Sequence, residues 1–426
     1  MTTSLSESLA RRAPPGPLWV AFSGGLDSTV LLHLLVAAGL GPRLTVLHVD
    51  HGLHPDSGVW AAHCTRQAVA LGLNCRVEQV RVSGREGLEG NARRARYDAL
   101  CRHAESGTLI TAHHRDDQSE TLLLRLLRGA GPTGLSAIPE HGHWGVTPLW
   151  RPLLAVPRAE LRALAERAGW SWLEDPSNDD LNLERNYLRG HLLPQLEQRW
   201  PGVRAVLART AGHQAEAAAL LAERAREDAA ALGVSERQLP LTAIAALSRA
   251  RGNNLLRGWL ADAGAPPPSS AVMAEILALT GTSADRLARV QWGGWQIRRF
   301  RDALHLLENS ALRPLTGETL WSPASRGPRL GAWRLVEGEG AGNALLWLAA
   351  DAGNLRLAPA RGGERLLRNG HHQRVSELWR AAGVPPWRRE QWPLVYLDED
   401  LVSVPAVGVA DGWKHRPLTA WHLEPA

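Results

Sequence analysis

One lysine, Lys414 near the far end, serves the whole chain of 426 residues. That scarcity excludes several chemistries. A Walker-type phosphate loop needs a lysine after its second glycine, and no glycine-rich loop here carries one. Schiff-base catalysis and a lysyl-adenylate intermediate lose their nucleophile, since Lys414 is the only candidate. Cysteine is nearly as sparse. Cys64, Cys75 and Cys101 form no CxxC pair, which argues against zinc sites, disulfide scaffolds and sulfur-carrier chemistry. They read as buried thiols in a reducing compartment. No apolar run is long enough to span a bilayer, and Met1 to Arg12 has no apolar core of a leader peptide. A cytoplasmic protein with no membrane partner is expected. Phenylalanine is almost absent, with two residues against 18 tryptophans. Most of those tryptophans are expected in cores or strands, and some as stacking surfaces.

The apolar fraction of 44% is enough to bury cores, and a chain of this length implies about two or three domains. The net charge of +5 is a weak pointer to nucleic acid, because arginine replaces lysine throughout. Arginine nonetheless suits phosphate recognition and base stacking better than lysine does.

The most informative stretch is Phe22-Ser23-Gly24-Gly25-Leu26-Asp27-Ser28. It follows an apolar strand-like run, Leu18 to Phe22, and opens into Thr29 to Leu35, which suits a buried helix. Strand, tight glycine turn and helix point several backbone N–H groups at one place. Glycines permit positive φ and close approach of a ligand. The helix N-terminus adds partial positive charge, and Ser23 and Ser28 add hydroxyls. A phosphate chain is the natural guest, with Asp27 placed to hold its magnesium ion. An ordinary Ser-Gly-Gly turn capping a helix explains the same residues.

Residues 17 to about 130 alternate strand and helix signals. The expected strands continue at Arg43–Asp50, Cys75–Val82 and Thr108–His113, and the expected helices at Gly58–Leu71, Leu88–Leu100 and Asp117–Arg128. This alternation predicts an α/β fold with a doubly wound parallel sheet. Ligands in such sheets sit beyond the carboxyl ends of the strands. The glycine turn, His48-Val49-Asp50-His51 and His113-His114-Arg115-Asp116-Asp117 all fall at that edge. Asp117 and Glu120 lie three apart at a helix start and share a face. Capping and dipole stabilisation are their simplest structural use. Further on, Pro157–Gly169 predicts a helix, and Arg185-Asn186-Tyr187-Leu188-Arg189 opens another.

Residues 1–195 read as one α/β domain. Residues 196–307 read as a helical domain, closing on a hairpin within Ala288–Leu307. Residues 308–355, punctuated by glycine and proline, read as a linker or irregular strands, and 356–426 as a small α+β C-terminal domain. Between Arg361 and Trp392 seven arginines face three glutamates, with His371, His372, Trp379, Trp387 and Trp392 interleaved. That mixture suits a nucleic-acid surface, although a solvated charged face is the commoner cause.

Taken together, these stretches resemble bacterial tRNA(Ile)-lysidine synthetases of the PP-loop ATP pyrophosphatase superfamily, whose fold is that of adenine nucleotide alpha hydrolases. Ser23-Gly24-Gly25-Leu26-Asp27-Ser28 is similar to the superfamily's SGGxDS loop, which GMP, NAD, asparagine and argininosuccinate synthetases and tRNA thiolases share. The narrower family is indicated by His48 to Leu53, Ala92 to Tyr97, Thr111 to Thr121, Leu124 to Gly131, Arg151 to Leu154, Glu174 to Asn178 and Arg185-Asn186. Arg361 to Glu364 and Gly383 to Arg389 match at the end of the chain, whereas between 195 and 360 only helical character agrees. One departure is Ser376 to Arg380, where the family often carries lysines.

The resemblance implies a two-step reaction on the wobble cytidine, position 34, of a tRNA(Ile) with a CAU anticodon. ATP adenylates O2 of the cytosine and releases pyrophosphate. The ε-amine of free L-lysine then attacks C2 and expels AMP. Codon reading changes from AUG to AUA, and amino-acid identity from Met to Ile. The implied cofactors are ATP and Mg²⁺. Ser23, Gly24, Gly25, Leu26, Asp27 and Ser28 would hold the nucleotide's phosphates, with Asp27 as the metal ligand. The strand end at His48, Asp50 and His51 would read adenine. Asp117 and Glu120 would take the lysine ammonium and its proton, and Arg185 would neutralise phosphate or the intermediate. Oligomeric state is open, a homodimer included.

Three alternatives compete with this reading. A PP-loop tRNA thiolase needs clustered cysteines. A small-molecule amide ligase leaves the basic tail unused. An RNA-binding protein with a relic loop is opposed by intact Ser23, Asp27, Asp117 and Glu120.

Overall fold

The computed structural model describes residues 2–425 apart from 53, 81–86, 105–106, 177–179, 282–287, 323–328, 331–332, 339–345, 350–353 and 414–417. Leu53, Ser177, Asn178, Lys414 and the Arg81-Val82 end of an expected strand lie outside the described residues. The chain divides into two compact units, Met1–Leu221 and Ala222–Ala426, the division falling inside one long helix.

In the first unit the order is α1 (Thr2–Arg12), β1 (Leu18–Ala21), α2 (Leu26–Ala37), β2 (Leu44–Asp50), α3 (Ser57–Ala70), β3 (Asn74–Gln79) and α4 (Gly87–His103). Then come β4 (Thr108–Ile110), α5 (Arg115–Leu127), α6 (Pro132–Leu135), β5 (His141–Trp144), β6 (Thr147–Trp150) and α7 (Arg158–Ala168). The unit closes with α8 (Glu184–Tyr187), a π turn (Leu188–Leu192), α9 (Leu193–Arg199) and the start of α10 (Val203–Ala231). The sheet order is β3-β2-β1-β4-β6-β5. All neighbours are parallel except β5, which pairs antiparallel with β6.

Strand-helix alternation thus anticipates the doubly wound core. It does not anticipate α1 or the antiparallel edge hairpin, whose strands are short and contain Gly142 and Pro148. β1 is the central strand. Its Leu18 and Val20 are fully buried on one face, in a core with Leu9 of α1 and Leu161 of α7. Trp19 and Ala21 pack on the other face with Tyr97, Leu100 and Leu109. Helix α2 buries Leu26, Val30, Leu31, Leu32, Leu34 and Leu35. A helix apolar all round must be enclosed, and each such side chain contributes roughly 1.5–3 kcal/mol. The N-terminus of α2 is therefore held rigidly at the end of β1.

In the second unit, strands Gln238–Pro240, Ala303–Glu308, Trp295–Phe300 and Arg289–Trp292 form an antiparallel sheet. Helices Leu241–Ala245, Arg249–Asp262 and Ser270–Thr280 belong to the same core, around Leu255, Leu256, Trp259, Ile276 and Ile297. The expected hairpin turns at Gly293-Gly294, both at positive φ, the backbone a tight two-residue hairpin requires. The stretch 308–355 carries the described strands Thr319–Trp321, Arg329–Leu330, Trp333–Glu337 and Leu346–Ala349. A five-stranded sheet, the hairpin Arg365–Arg368/His371–Arg374 and helix Val375–Ala381 make the α+β end. Trp379, Trp387 and Trp392 are buried here. They are core residues rather than the stacking surface their interleaving with arginine suggests. No described helix is long and apolar enough to cross a membrane.

Candidate active site

The chain leaves β1 for β2 and β3 on one side of the sheet and returns to β4 on the other. A topological switch point therefore opens between the carboxyl ends of β1 and β4, where α/β sheets place ligands. The loop after β1, Ser23 to Gly25, and the loop after β4, Thr111 to His114, meet there.

The first loop is a compact cradle. Gly24 has φ +79° and its carbonyl accepts from Leu173 N at 2.8 Å. A Cβ on Gly24 would stand 2.9 Å from both Cys64 Sγ and Leu173 Cδ1, so glycine is required by backbone and by space. Gly25 is the N-cap of α2, and its amide donates to Ser23 Oγ at 3.3 Å. Ser28 Oγ donates to Gly25 O at 3.0 Å and lies 3.1 Å from Ser23 Oγ. Leu26 is buried as the first helical residue. Gly24→Ala is expected to destabilise the protein by about 1–2 kcal/mol for the left-handed backbone and by roughly 1–3 kcal/mol for overpacking. Urea unfolding measures the loss, and an unchanged midpoint would refute the close approach.

Asp27, in the first turn of α2, faces the His114 ring and the Arg158 guanidinium. Its Oδ2 lies 3.5 Å from His114 Nε2, and Arg158 Nε donates to it at 3.4 Å. Burial pushes the Asp27 carboxyl up, but the hydrogen bond and charge of His114, with Arg158, outweigh it and hold the pKa below its ordinary value. Burial likewise presses His114 down, and Asp27 and Asp117 lift it above its ordinary value. Asp27 Oδ1 is buried with no hydrogen bond. Arg158 Nε lies 3.4 Å from this oxygen as well, but a buried carboxylate oxygen without a hydrogen bond beside a phosphate cradle fits a magnesium ion. Among the described residues no group of three or more His, Cys, Asp or Glu could hold a metal. The fit is therefore to an ion bound by one carboxylate and by substrate oxygens, the usual manner of Mg²⁺.

His114 joins the two halves of the site. It is the N-cap of α5 and accepts from Asp117 N at 3.4 Å through Nδ1. Asp117 Oδ2 accepts in return from His114 N at 2.9 Å. The capping use of Asp117 is thus real, and its Oδ1 still faces the site. There Arg189 NH2 donates to it at 3.3 Å. Glu120, fully buried, receives Arg189 Nε on Oε1 at 2.7 Å and NH2 on Oε2 at 3.0 Å. Arg185 Nε lies 4.0 Å from Glu120 Oε2, and Arg185 NH2 donates to Thr121 Oγ1 at 2.9 Å.

The two carboxylates are shifted in opposite directions. Burial raises both, but His114, His113 and Arg189 bring Asp117 below its ordinary value, while Glu120 stays above its own despite Arg189. Neighbouring acids pushed apart in this way suit different roles, a fixed anion and a proton acceptor.

The strand-end residues hold the site's frame. His48 Nδ1 bonds Phe22 O at 2.9 Å, at the entry to the glycine loop. Asp50 Oδ1 accepts from Gly52 N at 2.8 Å, where φ is +62°. His51 Nε2 accepts from Arg96 Nε at 3.0 Å, and burial and Arg96 push its pKa down to about 4. His113 is pushed down to about 3, chiefly by burial, with Arg93, Arg151 and Arg185 adding to it. Both rings are therefore neutral at pH 7, beside a wall of permanent arginine charge.

The structure thus brings Ser23, Gly24, Gly25, Asp27 and Ser28 together with Asp117 and Glu120 through His114, and sets Arg185 behind Glu120. The side chains of His48, Asp50 and His51 are engaged with the protein. The sequence reading missed His114, Arg158 and Arg189 as site residues. Arg189 lies four residues beyond Arg185, a spacing that puts both on one helical face. His114 precedes an acidic first turn, and Arg158 offers no local signal.

Comparison with known proteins gives three family-model matches. A PP-loop domain model matches residues 2–196, a TilS substrate binding domain model 239–305, and a TilS substrate C-terminal domain model 355–424. A protein named tRNA(Ile)-lysidine synthase from Alkalilimnicola ehrlichii is 41% identical, over 97% of this chain and 95% of its own. Proteins of the same name from Xanthomonas axonopodis pv. citri and Yersinia pseudotuberculosis are 39% and 37% identical, over 94% and 95% of this chain and 92% and 93% of theirs.

Proposed function

Because this chain belongs to the tRNA(Ile)-lysidine synthase family, we propose that its switch-point site first activates a nucleobase and then admits an amine. The protein is an ATP-dependent ligase that converts a cytidine in the anticodon loop of tRNA(Ile) to lysidine. ATP binds the PP-loop domain, and lysine and the tRNA are the substrates.

In our reading the main-chain amides of Gly24 and Gly25, the hydroxyls of Ser23 and Ser28 and the N-terminus of α2 hold the triphosphate. Asp27 would hold magnesium, which would offset charge on the departing pyrophosphate. Cytosine O2 attacks the α-phosphorus, the bond to the β-phosphate bridge breaks, and pyrophosphate leaves. The ε-amine then attacks C2, the C2–O2 bond breaks, and AMP leaves with O2. Free lysine has a pKa of about 10.4 and must lose a proton to attack. Glu120 takes that proton, and Asp117 remains the anion that orients the ammonium. His114 keeps the phosphate and amine halves in register. The arginines Arg93, Arg96 and Arg185 support binding of the anticodon backbone, and an anticodon base can be splayed out at low cost. We also propose domain limits of 1–195, 196–307, 308–355 and 356–426; association as a homodimer is a further proposal.

The single observation that carries this reading is His114, which reaches Asp27 on one side and Asp117 on the other. Pyrophosphate release from ATP, measured with and without CAU-anticodon tRNA, tests it. Release is expected only with the tRNA. Release at full rate from ATP and lysine alone would make the protein a small-molecule ligase.

A further inference from the structure

All four oxygens of the acidic pair are already occupied by protein donors. Glu120 Oε1 and Oε2 and Asp117 Oδ1 are taken by Arg189. Asp117 Oδ2 is taken by His114 N. An ammonium ion brings three N–H donors and no acceptor. Three of these four oxygens are held by Arg189, so an incoming ammonium must compete with it for the same negative charge and lone pairs. We propose that Arg189 is an internal competitor for the amine subsite, a stand-in cation that must withdraw before lysine enters. This rests on the reading above that Asp117 and Glu120 receive the lysine ammonium.

The local backbone favours withdrawal. Arg189 stands on the π turn, where Leu193 N–H reaches back five residues to Leu188 O. Such turns are rare and often mark functional sites. Pro194 follows and has no N–H to donate. Gly190 sits beside Arg189, with only the far end of the Leu181 side chain, at 3.5 Å, near the place a Cβ would fill. The chain thus departs from regular α-helix where the arginine is attached. The Arg189 side chain keeps 30% of its surface exposed while Glu120 has none, so the guanidinium has a way out to solvent and the carboxylate has not.

Two consequences follow. While Arg189 is seated, small amines and ammonia bind beside the base-adenylate more weakly, because the negative charge that would hold them is already countered. When it leaves, Glu120 loses its nearest counter-charge and becomes a stronger base at the moment the amine must be deprotonated.

The test uses the full-length protein with ATP and CAU-anticodon tRNA(Ile). In Arg189→Ala the KM for lysine is expected to fall, by about tenfold if the arginine is seated nine-tenths of the time. Guanidinium ion at millimolar concentration is expected to inhibit the variant competitively with lysine and to affect the parent far less. Arg189→Lys should restore a parent-like KM. Thermal unfolding reports whether the variants fold, and if Arg189→Ala does not, Arg189→Gln carries the same expectation. A folded variant whose lysine KM is unchanged or raised overturns the competitor and makes Arg189 a plain counter-ion. Glu120→Gln and Asp117→Asn, measured beside it, separate the two ideas. If neither raises the lysine KM, the subsite itself is misplaced; if both do and Arg189→Ala does not lower it, only the competitor falls.

Discussion

Asp27→Asn is expected to slow tRNA-dependent pyrophosphate release by about 10²–10³-fold, the usual cost of removing one preorganised electrostatic group from a reacting centre. Asparagine is nearly isosteric, so the packing of α2 is kept. What changes is charge. Asp27 lies at the helix N-terminus with Oδ2 toward His114, Arg158 Nε 3.4 Å from both oxygens, and Oδ1 buried without a hydrogen bond. An amide there presents neither the net charge nor the second acceptor that a magnesium ion requires. The tRNA-binding surfaces are untouched, so filter binding should return the parent affinity. Turnover equal to the parent's would remove Asp27 from the mechanism and the metal with it.

Glu120→Gln strikes the other half-reaction. Pyrophosphate release measured before lysine is added should persist, whereas transfer to lysine should slow by about 10²–10⁴-fold, the range for losing a general acid–base group. Glu120 is fully buried and its pKa stands above the ordinary glutamate value, because burial outweighs the Arg189 hydrogen bond. The active base is the ionised form. The transfer rate should therefore rise with pH up to that elevated value and level off above it, and the glutamine variant should lose the rising limb. A variant that keeps both rate and limb would assign the lysine proton to another group. Asp117 cannot replace it well, since His114, His113 and Arg189 hold it below its ordinary value and make it a weaker base.

How far the sequence revealed this site depends on the range of the interaction concerned. Local geometry was readable. The Ser-Gly-Gly turn, a strand before it and an apolar helix after it leave few backbone solutions, and Gly24 at φ +79° is one of them. Asp117 and Glu120 were legible as a pair because helical spacing alone puts residues three apart on one face. The nucleotide loop and the acidic pair could be assigned to one edge of the sheet, because topology puts every strand-to-helix loop there. What spacing could not supply was the partner across space. Arg189 is 69 residues from Glu120 in sequence, and Arg158 is 131 from Asp27. Those pairings exist only once α5, α7 and the π turn have packed. The same limit explains the C-terminal tryptophans. Their interleaving with arginine looks like a stacking surface in one dimension, yet Trp379 and Trp392 share a core with Leu366 and Leu394. The His48 ring ties down the entrance of the glycine loop, a long-range contact that sequence spacing does not reveal, and it leaves the expectation that the strand-end backbone reads adenine as it stood.

The most direct measurement is to incubate the purified protein with ATP, radiolabelled lysine and CAU-anticodon tRNA(Ile), then digest the RNA and locate the label. The account predicts label on the wobble cytidine alone, one AMP and one pyrophosphate released for each lysine incorporated. Label that never enters RNA, or that enters it without cleavage of ATP to AMP, would contradict it.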